Sequence, residues 1–239
     1  MKKPQFLNDH IYHVYNRGVE KRDIFMDDHD RFQFIHDLFE FNDENLVTNK
    51  KSVEVQPPQV EFSKIENQRR RKTERKKLTE ILAFVLMPNH FHLLLRQKTD
   101  DGIPKFMQKL GTGYTMSFNK KYERVGSLFQ GNYKAVLVER EEHLRYLPIY
   151  IHLNPMKIFG GSTSEDWKFL ENYRWSSLLD YVGKKNFPSV IDKEFLSVIL
   201  GDEEEHKKEI KGWLQKGINI SEAIDEIVKD NKKSSLVKK

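Results

Sequence analysis

The run Ile81–Met87 is apolar throughout, ends at Pro88-Asn89, and is followed at once by a second apolar-rich run, His90–Arg96. An apolar stretch this short, bounded by turn formers, predicts a buried strand, a turn or bulge at Pro88-Asn89, and a second strand beside it. Ile11–Tyr15, rich in β-branched and aromatic residues and closed by Asn16-Arg17-Gly18, predicts another strand. Leu128–Val138 predicts a further one. Between them lie helical spacings: Phe32, Ile35, Leu38 and Phe39 behind Asp27-Asp28, then Phe106, Leu110, Tyr114 and Phe118, then Leu144, Leu147 and Ile151 within Glu141–Asn154. Strand, helix, strand, strand, helix, strand, helix is the order of an α+β domain, an antiparallel sheet with helices on one face.

Two stretches depart from that pattern. Residues 43–77 are polar, contain Pro57-Pro58 and end in Arg69-Arg70-Arg71-Lys72 with Arg75-Lys76-Lys77 behind. From 50 to 77 there are ten Lys or Arg against four Glu, which predicts a basic insertion, about 43–78, either an arm that contacts DNA or a solvated surface loop. Residues 183–239 predict a weakly amphipathic helical tail or accessory lobe behind a main domain of 1–182. The chain has no cysteine, which excludes disulfides, thiolate catalysis and Cys-ligated zinc. The apolar runs are too short to span a membrane and no secretory signal is evident, so a cytoplasmic location is expected. A net charge of +5 tilts the expected partner toward a polyanion.

Two constellations carry chemistry. In His90-Phe91-His92, the period of two along a strand sends both imidazoles to one face and Phe91 into the core. Two such histidines are a bidentate site for a divalent metal that needs further ligands, although an isolated pair is more often plain packing. In Tyr150-Ile151-His152-Leu153-Asn154-Pro155, Tyr150 and Asn154 lie on one helix face, where the amide oxygen suits a third metal ligand beside a phenol. The bland reading is a packing tyrosine and a helix C-cap. Pro148, two residues before the tyrosine, predicts a kink or a restarted helix.

These two segments occur in order with Tyr12–Gly18, Met87–Leu94, Gly126–Lys134 and Tyr173–Ser177. Over about residues 6–182 the joint pattern closely resembles the REP-associated tyrosine transposases, relatives of the single-tyrosine insertion-sequence transposases in the HUH nuclease superfamily. The resemblance implies a ferredoxin-like sheet and a nucleophile at Tyr150. It implies Mg2+ or Mn2+ held by His90, His92 and Asn154. It further implies a single-stranded or hairpin DNA substrate with palindromic repeats, cut through a 5′-phosphotyrosine link. Arg17, Arg69, Arg70, Arg71, Lys72, Lys120, Lys121, Arg124 and Lys134 are the expected phosphate contacts, with Tyr114, Phe129 and Tyr133 as base-stacking candidates. Alternatives are a replication-initiator or relaxase-type nicking enzyme, and a hairpin-binding protein without catalysis. A monomer or a homodimer is expected.

Overall fold

The structure, a computed structural model, describes residues 4–45, 75–159 and 166–215. Four strands, β1 (Ile11–Arg17), β2 (Thr79–Met87), β3 (His90–Gln97) and β4 (Lys134–Leu137), form one antiparallel sheet in the order β2-β3-β1-β4. Helix α1 (Asp28–Glu40) lies in the chain between β1 and β2, and α2 (Gly102–Lys121) between β3 and β4. Each helix therefore separates two strands that have a third strand between them in the sheet. Two interleaved split β-α-β units of this kind make a ferredoxin-like α+β fold.

Both helices pack on one face of the sheet. Phe34 of α1 stands edge-on to Tyr114 of α2 at 4.9 Å, and both close on the sheet through Phe91, whose ring is 5.0 Å from Phe34. Gly111 and Gly113 weaken the helical pattern of α2 in the sequence, yet the helix runs through both. A Cβ on Gly113 would lie 2.5 Å from the ring of Phe41, so the glycine is what lets that ring approach. The strand expected over Leu128–Val138 is shorter: only Lys134–Leu137 pairs in the ladder. Gly126 and Gly131 take positive φ angles there and turn the preceding residues into a loop, tied to β1 by the Gly18–Phe129 bridge.

Helices on one face holds for α1 and α2. The helix α3 (Glu141–Leu153) covers the opposite face. It runs unbroken with Pro148 inside it, so the restart that Pro148 suggested is not what the fold adopts. The reason lies in what surrounds the helix. Leu147, Tyr150 and Ile151 belong to the core built on the sheet. Ile149 and Leu153 belong to a second apolar cluster with Leu170, Leu178 and Ile210. A helix buried on two sides is held by tertiary packing, roughly 1.5–3 kcal/mol for each fully buried aliphatic side chain, comparable with the ~3 kcal/mol that an internal proline costs.

The second cluster draws on the C-terminal helices, α4 (Met156–Phe159), α5 (Asp166–Asn172), α6 (Leu178–Tyr181), α7 (Glu194–Leu200) and α8 (Glu203–Gln215). His152 of α3, fully buried, reaches across to them, with Nδ1 3.1 Å from His206 Nε2 and Nε2 2.9 Å from Ser177 Oγ. The aromatic segment before α6 seals the outer edge of β2. Leu86 N donates to Trp175 O at 2.8 Å and Ser177 N to Phe84 O at 3.0 Å, while Tyr173 Oη donates to Leu86 O and Tyr181 Oη to Leu82 O, both at 2.6 Å. An edge strand left open presents unpaired amides. Here its carbonyls and amides are taken up.

Candidate active site

The ladder register decides which side chains meet. Tyr15 pairs with His92, Arg17 with His90, and Lys134 with Tyr15. Directly paired residues point to the same face, so His13, Tyr15 and Arg17 of β1, His90 and His92 of β3, and Lys134 of β4 share the face that α3 covers. The rings confirm it. His90 and His92 stand 5.2 Å apart, nearly perpendicular, and the Tyr150 ring meets His92 edge-on at 5.5 Å. Phe91, between the two histidines, is buried on the other face against α1.

Each imidazole is fixed through its Nδ1. His90 Nδ1 lies 2.6 Å from Asn89 Oδ1. A carbonyl oxygen only accepts, so Nδ1 carries the hydrogen and Nε2 keeps its lone pair. His92 Nδ1 lies 2.9 Å from Nε2 of His13, a buried histidine stacked on it at 5.1 Å. When His92 Nδ1 donates in that bond, its Nε2 is likewise left as a donor atom for an ion. Burial, and after it the charge of Lys157, holds His13 down at about 4, and burial with Lys157 and Arg17 does the same for His90. His92 is driven well below the usual histidine range, chiefly by burial, then by His13, His90 and Lys157. At neutral pH all three rings are uncharged, the state in which imidazole binds metal.

Tyr150 sits one turn before Asn154, which closes the helix as its C-cap residue. Asn154 Nδ2 donates to the Tyr150 carbonyl at 2.9 Å, satisfying one of the last helical carbonyls. That bond assigns the amide's orientation and leaves Oδ1 as an acceptor. Lys157 Nζ donates to this oxygen at 3.1 Å and to Tyr150 Oη at 3.4 Å. By donor chemistry, the two neutral imidazoles suit a hard-to-borderline divalent ion, while the Asn154 amide oxygen, a donor of the same class, is hydrogen-bonded by Lys157.

Among the described residues, three His or acidic donors converge within ion-binding distance at Asp27, His29 and Asp30, by the start of α1. That group is occupied differently. Lys121 Nζ lies 2.7 Å from Asp27 Oδ2 and 2.7 Å from Asp30 Oδ1.

The expected phosphate contacts separate into groups. Arg17 and Lys134 are exposed on the face that carries the histidines, with Arg17 bonded to Gln130 and Lys134 Nζ 5.9 Å from the Tyr15 ring. Lys120 and Arg124 lie at the far end of α2, the latter bonded to Asn119 at 3.3 Å. Lys121 is there too, but its ion pairs to Asp27 and Asp30 tie its charge to α1, and hydrogen bonds to those carboxylates raise its pKa. Arg69, Arg70, Arg71 and Lys72 lie outside the described residues. The end of that basic run is anchored: Arg75 stacks on Phe39 at 3.8 Å and pairs with Asp43 at 3.4 Å, and Lys77 pairs with Asp192. Tyr114 is not available for stacking on a base, because its ring is in the core and its hydroxyl donates to Ile24 O. Phe129 and Tyr133 line a groove of about 820 Å3 between α2 and the loop before β4.

Sequence reasoning missed His13, Tyr15 and Lys157. Alternation along β1 puts His13 and Tyr15 on the face away from Tyr12 and Val14, a signal that was present. What alternation lacks is the strand partner. Lys157 had no signal, since it reaches back across the Asn154-Pro155 turn.

Comparisons with known proteins bear on this stretch of chain. Residues 59–154 match the family model described as IS200-like transposase. A solved structure described as a REP-associated tyrosine transposase bound to a REP hairpin is similar with 12% identity, over 79% of this chain and 88% of that one, at a TM-score of 0.48. No curated protein matches. The residues matched by the IS200-like transposase model include His90, His92, Tyr150 and Asn154.

Proposed function

We propose that this chain is a single-tyrosine DNA strand transferase that cuts hairpin-forming single strands and keeps the cut end as a 5′-phosphotyrosine. The observation that carries the reading is the meeting of Tyr150 with the histidine face: its ring lies edge-on to His92, and its hydroxyl is within reach of Lys157. The family match points to DNA as the substrate class.

In the step envisaged, Tyr150 Oη attacks the scissile phosphorus. The Oη–P bond forms as the P–O3′ bond breaks, the phenolic proton passes to solvent, and the departing 3′ oxygen takes a proton from water. No electrons change hands, and the phosphodiester energy stays in the new bond, so a second 3′ hydroxyl reverses the step without a nucleotide cofactor. His90, His92 and Asn154 would hold Mg2+ or Mn2+, which supplies positive charge against the phosphate. The residues of the chain orient that assembly. Asn89 and His13 fix the two imidazoles, the Asn154 bond fixes the helix end, and the sheet packing of Leu147 and Ile151 aims the phenol.

The test is incubation with hairpin oligonucleotides from the source genome and Mn2+, then a denaturing gel for the covalent adduct. Tyr150→Phe should abolish the adduct while hairpin affinity stays within a few-fold, because only the attacking oxygen is lost. Tyr146, exposed and packed on Trp213 at 5.4 Å, is the comparison: Tyr146→Phe should still form adduct. An adduct that survives Tyr150→Phe overturns the reading. Hairpin binding with no adduct under any metal would leave a binding protein without catalysis.

A further inference from the structure

We propose that the groove between α2 and the loop before β4 is a nucleobase site, taking one unpaired base of a single DNA strand while the neighbouring phosphates meet Arg17 and Arg124. The inference rests on the proposed action on DNA, but not on which tyrosine attacks. Gly111 is the residue that the fold alone does not explain. Gly113, two positions on, is explained, because a Cβ there would strike the Phe41 ring. A Cβ on Gly111 would meet no atom within 4 Å, and its backbone is helical, with no positive φ that calls for glycine. Glycine within a helix weakens it relative to alanine, so neither packing nor backbone accounts for this one. What the missing side chain leaves is space, since Gly111 lines the groove of about 820 Å3.

The chemistry of the groove suits a base and not a phosphate. None of its lining residues is charged. Leu110 and Phe129 give it buried apolar surface, and the amides and hydroxyls of Gln108, Thr112, Ser127 and Asn132 stand exposed around it. A base has faces that stack on apolar surface and edges that hydrogen-bond to neutral groups. Positive charge lies just outside. Asn16 lines the groove and donates to Gly131 O at 3.2 Å, and the next residue, Arg17, is bonded to Gln130. Farther along the loop, Asn119 donates to Gly126 O at 2.9 Å and accepts from Arg124 at 3.3 Å. Both guanidiniums are thus held by amides, whereas the ammonium of Lys121 is committed to Asp27 and Asp30. Two such cations beside an uncharged slot are complementary to a single strand, with a base in the slot and phosphates on the arginines. Asn16 and Arg17 point to opposite faces of the sheet. A strand held this way passes from the groove to the edge of the histidine face, where Arg17 pairs with His90.

The experiment fills the groove without removing any contact. Gly111→Ala adds one methyl group, and Gly111→Leu projects a side chain into the space. Both variants of the full-length chain should melt at the wild-type temperature or a few degrees above it, since each improves on glycine in a helix. Fluorescence anisotropy reads affinity for a hairpin oligonucleotide with unpaired flanks, and for copies in which each unpaired nucleotide in turn is abasic. One abasic position should weaken binding to the wild-type chain by about 5–150-fold, the range for one stacked base. Gly111→Leu should weaken binding of the intact probe by a similar factor and be indifferent to that abasic position, while Gly111→Ala stays within a few-fold of wild type. A Gly111→Leu chain that binds the intact probe as wild type does, or still senses the abasic position, overturns the groove site and leaves the DNA reading standing. The abasic scan of the wild-type chain decides by itself if Gly111→Leu melts lower: binding with no sensitive position overturns the site. A wild-type chain that binds none of the probes overturns the DNA reading and the groove site with it.

Discussion

His13 Nε2 lies 2.9 Å from His92 Nδ1, between two buried rings on adjacent strands that stack 5.1 Å apart. The bond joins residues 79 positions apart in the chain, and it restrains the ring of one proposed metal ligand from behind. Partners of this kind set a ligand's tautomer and orientation.

The first prediction follows from that bond. His13→Phe keeps a buried ring but removes the acceptor, and Mn2+ affinity should fall by about 10–100-fold, the usual effect of losing such a partner. Titration calorimetry reads it without DNA. His90→Ala should remove binding altogether. An unchanged affinity in His13→Phe would mean that His92 is held by packing alone. An unchanged affinity in His90→Ala would mean that the ion, if any, binds elsewhere.

A second prediction concerns pH and the C-terminal helices. His206 is buried against His152, and burial pushes it down to about 4. The unfolded chain, with a histidine near 6.5, binds a proton that the folded one refuses between those values. Its contribution is therefore fully present above pH 6.5 and lost as pH falls toward 4, on the order of 3 kcal/mol for one such group. Thermal melts from pH 7 to pH 4 should show falling stability. His206→Gln should flatten part of that slope, and a slope unaltered by the substitution would locate the acid sensitivity in other groups.

The third concerns the basic arm before β2. Replacing Arg69, Arg70, Arg71 and Lys72 by Ser should flatten the salt dependence of hairpin binding by about two to three log–log units on single strands. Arg75 and Lys77 are already committed to Asp43 and Asp192, so their replacement should instead lower stability and leave most of the salt slope intact. An unchanged slope in the fourfold variant would return the stretch to an ordinary solvated surface.

Local sequence carried much of this fold. The apolar run Ile81–Met87, its turn and the next run predicted β2 and β3 because short buried strands announce themselves by length and by the residues that stop them. Period-two spacing was sufficient to put His90 and His92 on one face and Phe91 on the other, and the four-residue step placed Tyr150 above Asn154. The limits came where distant segments meet. Gly126 and Gly131 shortened the predicted last strand, and Tyr114 was pulled into the core rather than left for bases.

The sequence by itself determined the chemistry of the groups and the faces they take, since both follow from covalent structure and from the repeat of strand and helix. Only the tertiary structure decided their company. Pairing of β1 with β3 put His13 behind His92, packing on two sides carried α3 through Pro148, and the turn at Asn154-Pro155 returned Lys157 to the phenol. The physical reason is that strand order, register and the direction of a turn are settled by which buried surfaces fit together. That is a property of the whole chain and not of any window along it.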